Sequence, residues 1–266
     1  MSEWKTQIQA ADLAGAIKSL MTHLQSRATD IEARSQLVEL LCIDGQFERA
    51  EQQLLLILKQ DPDCLPGGTE LRHLIHAAQA RADFMGGAAT AKFLGNVNEQ
   101  TQAALMRITL GLAQGAEDLD TFNQQYEQER TRPNVLLDDK EHDDLRDLDD
   151  QLSQYLECFG TNGEYYLVPM SAIASLSITP PANLIETVWR KVELEIIDGP
   201  SGELHMPITY YHSATDAQKL GKATDWLSSP AHDLVIGAGH KMLLAGEDAV
   251  VLGQIEGWSV VDTAVV

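Results

Sequence analysis

Cysteine is scarce in this chain of 266 residues, which holds three: Cys42, Cys64 and Cys158. Their odd number, without close pairing or metal-ligand spacing, argues against a disulfide framework or a cysteine zinc site. They read as buried or free thiols in a reducing compartment. Basic residues are also few, 19 Lys and Arg against 40 Asp and Glu, for a formal charge of −21. That field repels a phosphate backbone and an anionic lipid surface, so neither nucleic acid nor membrane is expected as a partner. It either steers a basic partner or serves solubility alone. No apolar stretch reaches the length of a membrane span, and MSEWKTQIQA has no basic head before an apolar run. A cytoplasmic protein is expected.

What remains is ordinary globular material, 44% hydrophobic and 22% charged, long enough for two compact domains or one large one. In the first half, an offset of 34 residues (13 to 47) pairs Leu13 with Phe47, Ala16 with Ala50, Leu20 with Leu54 and Leu24 with Leu58. The pattern describes helical hairpins: the alanines let two helices cross closely, the larger residues fill the groove, and Pro62 stops the second helix. The partner helix runs from Ile31 to Ile43, with Leu37, Val38 and Leu41 at helical spacing and Gly45 at the turn. This unit, Ile31 to Cys64, resembles a tetratricopeptide repeat in Gly45, Phe47, Ala50 and Pro62. It departs at Val38, where that motif has a small residue.

Within GQFERAEQQLLLILKQDP, the run Leu54 to Leu58 leaves the helix no single wet face. Leu54 and Leu58 face the hairpin partner. Leu55 and Leu56 point elsewhere, either onto the next hairpin or into a groove for a foreign helix, with Leu37 and Leu41 sharing its wall. Helices are also expected over Thr69 to Asp83, over Asn98 to Gln114 with Gly115 as its stop, and around Leu119 to Tyr126. The helical domain spans residues 1–132.

The acidic run LDDKEHDDLRDLDD self-repels and reads as an exposed linker, residues 133–146. Strand signals follow in a small β-rich domain, residues 147–266: NGEYYLVP after the turn Asn162-Gly163, the alternation Val192, Leu194, Ile196, and short segments near Leu234, Met242, Val250 and Gly257. One helix is expected near Gln218 to Leu227. The fold class is α+β, tetratricopeptide-like helices followed by a mostly antiparallel sheet.

Candidate chemistry is thin. His73 and His76 could present two metal ligands but have no visible third. Gly237 and Gly239 in VIGAGHKML lack the spacing of a nucleotide loop. His212, Ser213 and Asp216 are sequence neighbours without a nucleophile elbow. No catalytic, metal or cofactor residue is assigned. A metal-dependent hydrolase around His205, His212, His232 and His240 is the alternative, and a self-assembling structural component is a third class.

Six words in order resemble the ImpE/TagJ family, also called the SciE type, accessory proteins of bacterial type VI secretion: FLGN at Phe93 to Asn96, DLDDQL at Asp147 to Leu152, NGEYYLVP, PPANLIETVW, PITYYHS and LGKATDW. The chain departs where the family carries arginine and then Gly-Pro, having Gln151 and Ser153-Gln154 instead. The resemblance implies a non-enzymatic cytoplasmic adaptor without cofactor, which binds the small subunit of the contractile sheath and works alongside the ClpV-type AAA+ ATPase that recycles it. Joined to the helical reading, it places an amphipathic helix of the sheath subunit against Leu55, Leu56, Leu37 and Leu41.

Overall fold

A computed structural model describes residues 3–116, 119–229 and 232–261. Among the described residues, seven α-helices occupy the first half, with a two-residue strand between the fifth and sixth: α1 (Glu3–Gln9), α2 (Leu13–Ser26), α3 (Ile31–Ile43), α4 (Phe47–Gln60), α5 (Leu65–Met85), α6 (Glu99–Gln114) and α7 (Asp120–Gln128). Short polar residues start several of them. Asp12 accepts from the Gly15 N–H, Asp30 from Ala33, and Asn98 from Gln100 and Thr101. Gly45 turns α3 into α4 at φ +81°, a conformation that costs glycine nothing.

Helices α2 to α5 pack in chain order, each on the next. Ala16 and Ala50, the expected crossing points, are fully buried. Helix α3 is covered on more than one side, by α2, by α4 and by a 3-10 turn at Ile185–Thr187. It accordingly buries Ala33, Leu37, Val38, Leu40, Leu41, Cys42 and Ile43. This corrects the expectation for Leu37 and Leu41: they are core residues of a helix packed between α2 and α4, and cannot wall an open groove. Helix α4 buries only Ala50, Leu54 and Ile57.

The strands are β1 (Lys92–Phe93), β2 (Val135–Leu137), β3 (Lys140–His142), β4 (Leu145–Asp147), β5 (Tyr155–Gly160), β6 (Tyr165–Pro169), β7 (Ile173–Ile178), β8 (Trp189–Ile196) and β9 (Ser201–Pro207). A short helix α8 (Asp216–Lys219) precedes β10 (Thr224–Ser229), β11 (His232–Gly239), β12 (Met242–Ala245), β13 (Asp248–Val251) and β14 (Gly257–Val260). Nine of them form one sheet in the order β1-β6-β5-β9-β8-β7-β14-β2-β3, antiparallel except at β1–β6. β10 and β11 form a ribbon, and β13, β12 and β4 a third sheet. The architecture is α+β.

The acidic run is not a linker. Asp138 and Asp139 take φ of +46° and +66°, the tight hairpin turn between β2 and β3, and β4 pairs with β12. The expected helix over Gln218 to Leu227 shrinks to the four residues of α8, and Thr224 to Ser229 extend as β10, whose register with β11 runs to Thr224↔Gly239.

One face of the large sheet is buried along its length, and the other is covered by helices around β5 and β6 and open at Glu193 and Glu195 of β8. On the helix-covered face, Tyr155, Phe159, Tyr165 and Trp189 join the helical core in a single cluster; on the other, Leu156, Cys158, Val168 and Leu194 pack with Leu243 and Ala245 of the third sheet. Alternation along β5 assigns these faces, and it aims one charged residue, Glu157, at the helices.

Candidate functional site

Glu157 is fully buried where α5 crosses β5. Arg81 of α5 donates to it from Nε and Nη2, both at 2.6 Å, and Nη2 also donates to the Thr209 carbonyl at 2.9 Å. Lys241, also buried, lies 2.7 Å from Glu157 Oε2 and 3.6 Å from Asp147 Oδ2. Tyr165 donates to Glu157 at 2.8 Å, and Tyr210 to Asp147 at 2.7 Å. Every carboxylate here is held by several donors, the condition under which a buried charge is tolerated.

The acids alternate along the chain. Asp147, Asp149 and Gln151 are buried, and each carboxylate holds the backbone that follows it: Asp147 accepts from Asp149 N at 2.9 Å, Asp149 from Gln151 N at 2.9 Å. Asp149 also accepts from Gly237 N at 2.7 Å, tying this segment to β11. A side chain at Gly237 would meet the Tyr210 ring at 2.4 Å, so only glycine lets that ring lie against the strand.

Burial and the two cations pull these groups apart. Burial opposes ionisation of Glu157, but Arg81 and Lys241 outweigh it and hold the carboxyl down at about 2. Asp149, pushed by burial and then by the charge of Asp147, rises to about 7. The cluster is sealed around Lys241 and Glu157, so its chemistry is cohesion: it joins helix α5 to the sheet.

At its edge lies a cleft of about 260 Å³, walled by Phe47, Phe159, Trp189, Tyr210 and Tyr211, with Arg81 and Lys219. Trp189 sits edge-on to Phe159 at 5.3 Å between ring centres and 6.4 Å from Phe47.

A family model described as ImpE protein matches residues 139–259, the span that carries most of the buried cluster. The type VI secretion system accessory component TagJ of Pseudomonas aeruginosa is 27% identical over 225 residues, covering 84% of this chain and 80% of that protein. The chain belongs to the ImpE/TagJ family. A Vibrio parahaemolyticus protein of known crystal structure is 39% identical, with a TM-score of 0.94 over 99% of both chains.

The ImpE/TagJ words quoted from the sequence converge in space. DLDDQL supplies Asp147 and Asp149, NGEYYLVP supplies Tyr165, and PITYYHS supplies Tyr210. Gln151 donates from Nε2 to Thr109 Oγ1 at 2.8 Å, and Gln154 from Nε2 to the Tyr126 carbonyl at 2.9 Å. Both tie α6 and α7 to the segment before β5.

Sequence reasoning missed Arg81, Glu157 and Lys241. An ionisable residue inside an otherwise apolar strand, as in YLECFG, is the signal that marks one of them. Among the assigned residues, Leu55 and Leu56 are 38% and 44% exposed, while Leu37 and Leu41 are buried. His205, His212, His232 and His240 do not gather: His205 opposes Lys191 across β8 and β9, and His240 bridges the Gly221 carbonyl and the Gly253 N–H. No three His, Cys, Asp or Glu among the described residues form a group that could hold a metal. His76 pairs with Glu51 and His73 with the Thr161 carbonyl, so they do not converge either. Ser213 donates to the Tyr210 carbonyl, and Asp216 accepts from Ala14 N, so neither faces a shared nucleophilic site with His212. No described helix is long and apolar enough to cross a membrane.

Proposed function

We propose that this protein is a non-enzymatic adaptor of a bacterial type VI secretion system, acting in the cytoplasm. It holds an amphipathic helix of the small sheath subunit against α4 and works alongside the ClpV-type AAA+ ATPase that recycles contracted sheath. Family membership and the TagJ relative support the accessory role. The tetratricopeptide-like order of α2 to α5 supports a helix-binding surface.

One observation carries the reading: α4 leaves both Leu55 and Leu56 open to solvent in an otherwise well-packed array. Their directions follow from neighbouring contacts. Glu51, one turn before Leu55, pairs with Arg72 of α5 at 2.5 Å, whereas Arg49, two turns before Leu56, donates to the Met21 sulfur of α2 at 3.2 Å. The leucines therefore bracket the outer face of α4, with exposed Met21 and Leu65 beyond them. A helix laid along this face buries both. Each burial contributes at most about 1.5 to 3 kcal/mol, so a few such anchors suffice for a micromolar contact. The acidic surface accelerates docking of a basic-rimmed helix and makes it salt-sensitive.

The test is calorimetric titration of the purified small sheath subunit into wild type and the Leu55→Asp/Leu56→Asp double variant. The reading expects the variant to fold and to lose binding at least about tenfold. A folded variant that binds like wild type overturns it.

A further inference from the structure

The cleft beside Arg81 plays no part in holding a helix on α4, and its chemistry points to a ligand of its own. Arg81 binds Glu157 side-on, through Nε and Nη2, and spends the remaining reach of Nη2 on the Thr209 carbonyl. That geometry leaves Nη1 on the far side of the guanidinium, with no hydrogen bond to any described residue. The residue is more than nine-tenths buried, yet it forms part of the cleft wall. Nη1 is reached by solvent through the cleft, and a guanidinium N–H so placed favours an anionic acceptor.

The rest of the wall limits what the anion can be. Phe47, Phe159 and Trp189 are rings packed on one another, and Tyr211 closes the outer side, half-exposed. Asp44, the acid on the wall, is already engaged by Lys219 Nζ at 2.7 Å and by Gln46, so it does not repel a second carboxylate as a free one would. Helix α4 begins at this wall without a side-chain cap, so its first N–H groups add positive potential. A cation is opposed by Arg81, and a dianionic phosphate finds one uncommitted guanidinium nitrogen among apolar rings. The volume of about 260 Å³ is enough for one ring and one acid group.

We infer that this cleft binds a carboxylate carried on a flat apolar group, with Arg81 Nη1 donating to the carboxylate and the ring laid against Phe47 and Trp189 beneath Tyr211. The chemistry is shared by a small free aromatic acid and by a polypeptide ending in an aromatic residue. This site stands independently of the helix-binding reading.

The probes are phenylacetate and a short alanine peptide ending in phenylalanine with a free carboxylate, each paired with its carboxamide, titrated into the full chain by NMR. A ligand this small is expected to bind at about 1 mM. The carboxylate should bind at least about tenfold more tightly than its amide, because the amide offers the charged donor only a neutral acceptor. Ala82→Leu fills the cleft from its half-buried rim and should abolish binding while the unfolding temperature holds. Tighter binding of phenylacetate assigns the site to small acids, and tighter binding of the peptide to a chain terminus. Equal binding of acid and amide in wild type, or no binding of either acid, overturns the inference whatever Ala82→Leu does.

Discussion

Arg81 and Glu157, 76 residues apart in the chain, share two hydrogen bonds of 2.6 Å inside the joint between α5 and β5. Lys241 shares the same carboxylate at 2.7 Å. The helical array and the sheet are thereby fastened through one buried carboxylate that takes a cation from each.

Breaking that pair should reveal coupling between its two partners. Arg81→Met leaves Glu157 buried with Lys241 as its only cation, and a loss of up to about 3 kcal/mol is expected in denaturant unfolding. Glu157→Leu, which alone leaves both Arg81 and Lys241 without their shared carboxylate, should cost less in the Arg81→Met background than in wild type. If Glu157→Leu costs as much in either background, the two residues act independently and the joint is misassigned.

Asp149 gives the protein a pH dependence of defined sign. Its carboxyl is raised from 3.8 to about 7 by burial and the charge of Asp147, so the folded chain holds a proton that the unfolded chain releases. The stability it contributes is fully present below about pH 4 and is lost as pH rises through 7. Glu157 acts oppositely: lowered from 4.5 to about 2, it contributes stability above 4.5 that is lost as pH falls through 2. Wild-type stability measured relative to Asp149→Asn should therefore fall between about pH 5 and about pH 8, by at most about 1.4 kcal/mol per unit. A difference that stays flat over this range contradicts the assignment. The comparison cancels the histidines and the general charge, and the acceptor that asparagine cannot offer to the Gly237 N–H adds only a constant offset.

The leucines of α3 and α4 separate core from surface. Leu41→Ala, deep in the helical core, should destabilise by about 2 to 5 kcal/mol. Leu55→Ala, at 38% exposure, should cost less than about 1 kcal/mol in the same thermal or denaturant assay. Comparable losses at the two positions show that α4 is covered in solution.

Local pattern carried the helices. Apolar residues at helical spacing, Gly45 and Pro62 place α3 and α4 from sequence within a residue or two. Pattern failed where tertiary partners decide. Asp138 to Asp150 read as a repelling run because nothing local reveals that Asp147 and Asp149 meet Lys241, Tyr210 and the Gly237 N–H from far along the chain. The alternation of buried Asp147, Asp149 and Gln151 with half-buried Leu148 and Asp150 is a period of two whose buried face is polar, so it reads as a wet one. Leu37 and Leu41 read as wall residues because helical spacing alone does not distinguish a face covered by α2 and α4 from an open one. Leu55 and Leu56 were legible as surplus, since helical geometry alone turns them away from Leu54 and Ile57.

The central claim is that α4 offers its outer face to a partner helix, and leucine-methyl NMR tests it most directly. On titration with the small sheath subunit, the account expects the methyl signals of Leu55 and Leu56 to shift while those of Leu37 and Leu41 stay in place. Binding that leaves Leu55 and Leu56 unmoved, with the shifts gathered instead on Leu227 and the β10–β11 ribbon, contradicts it.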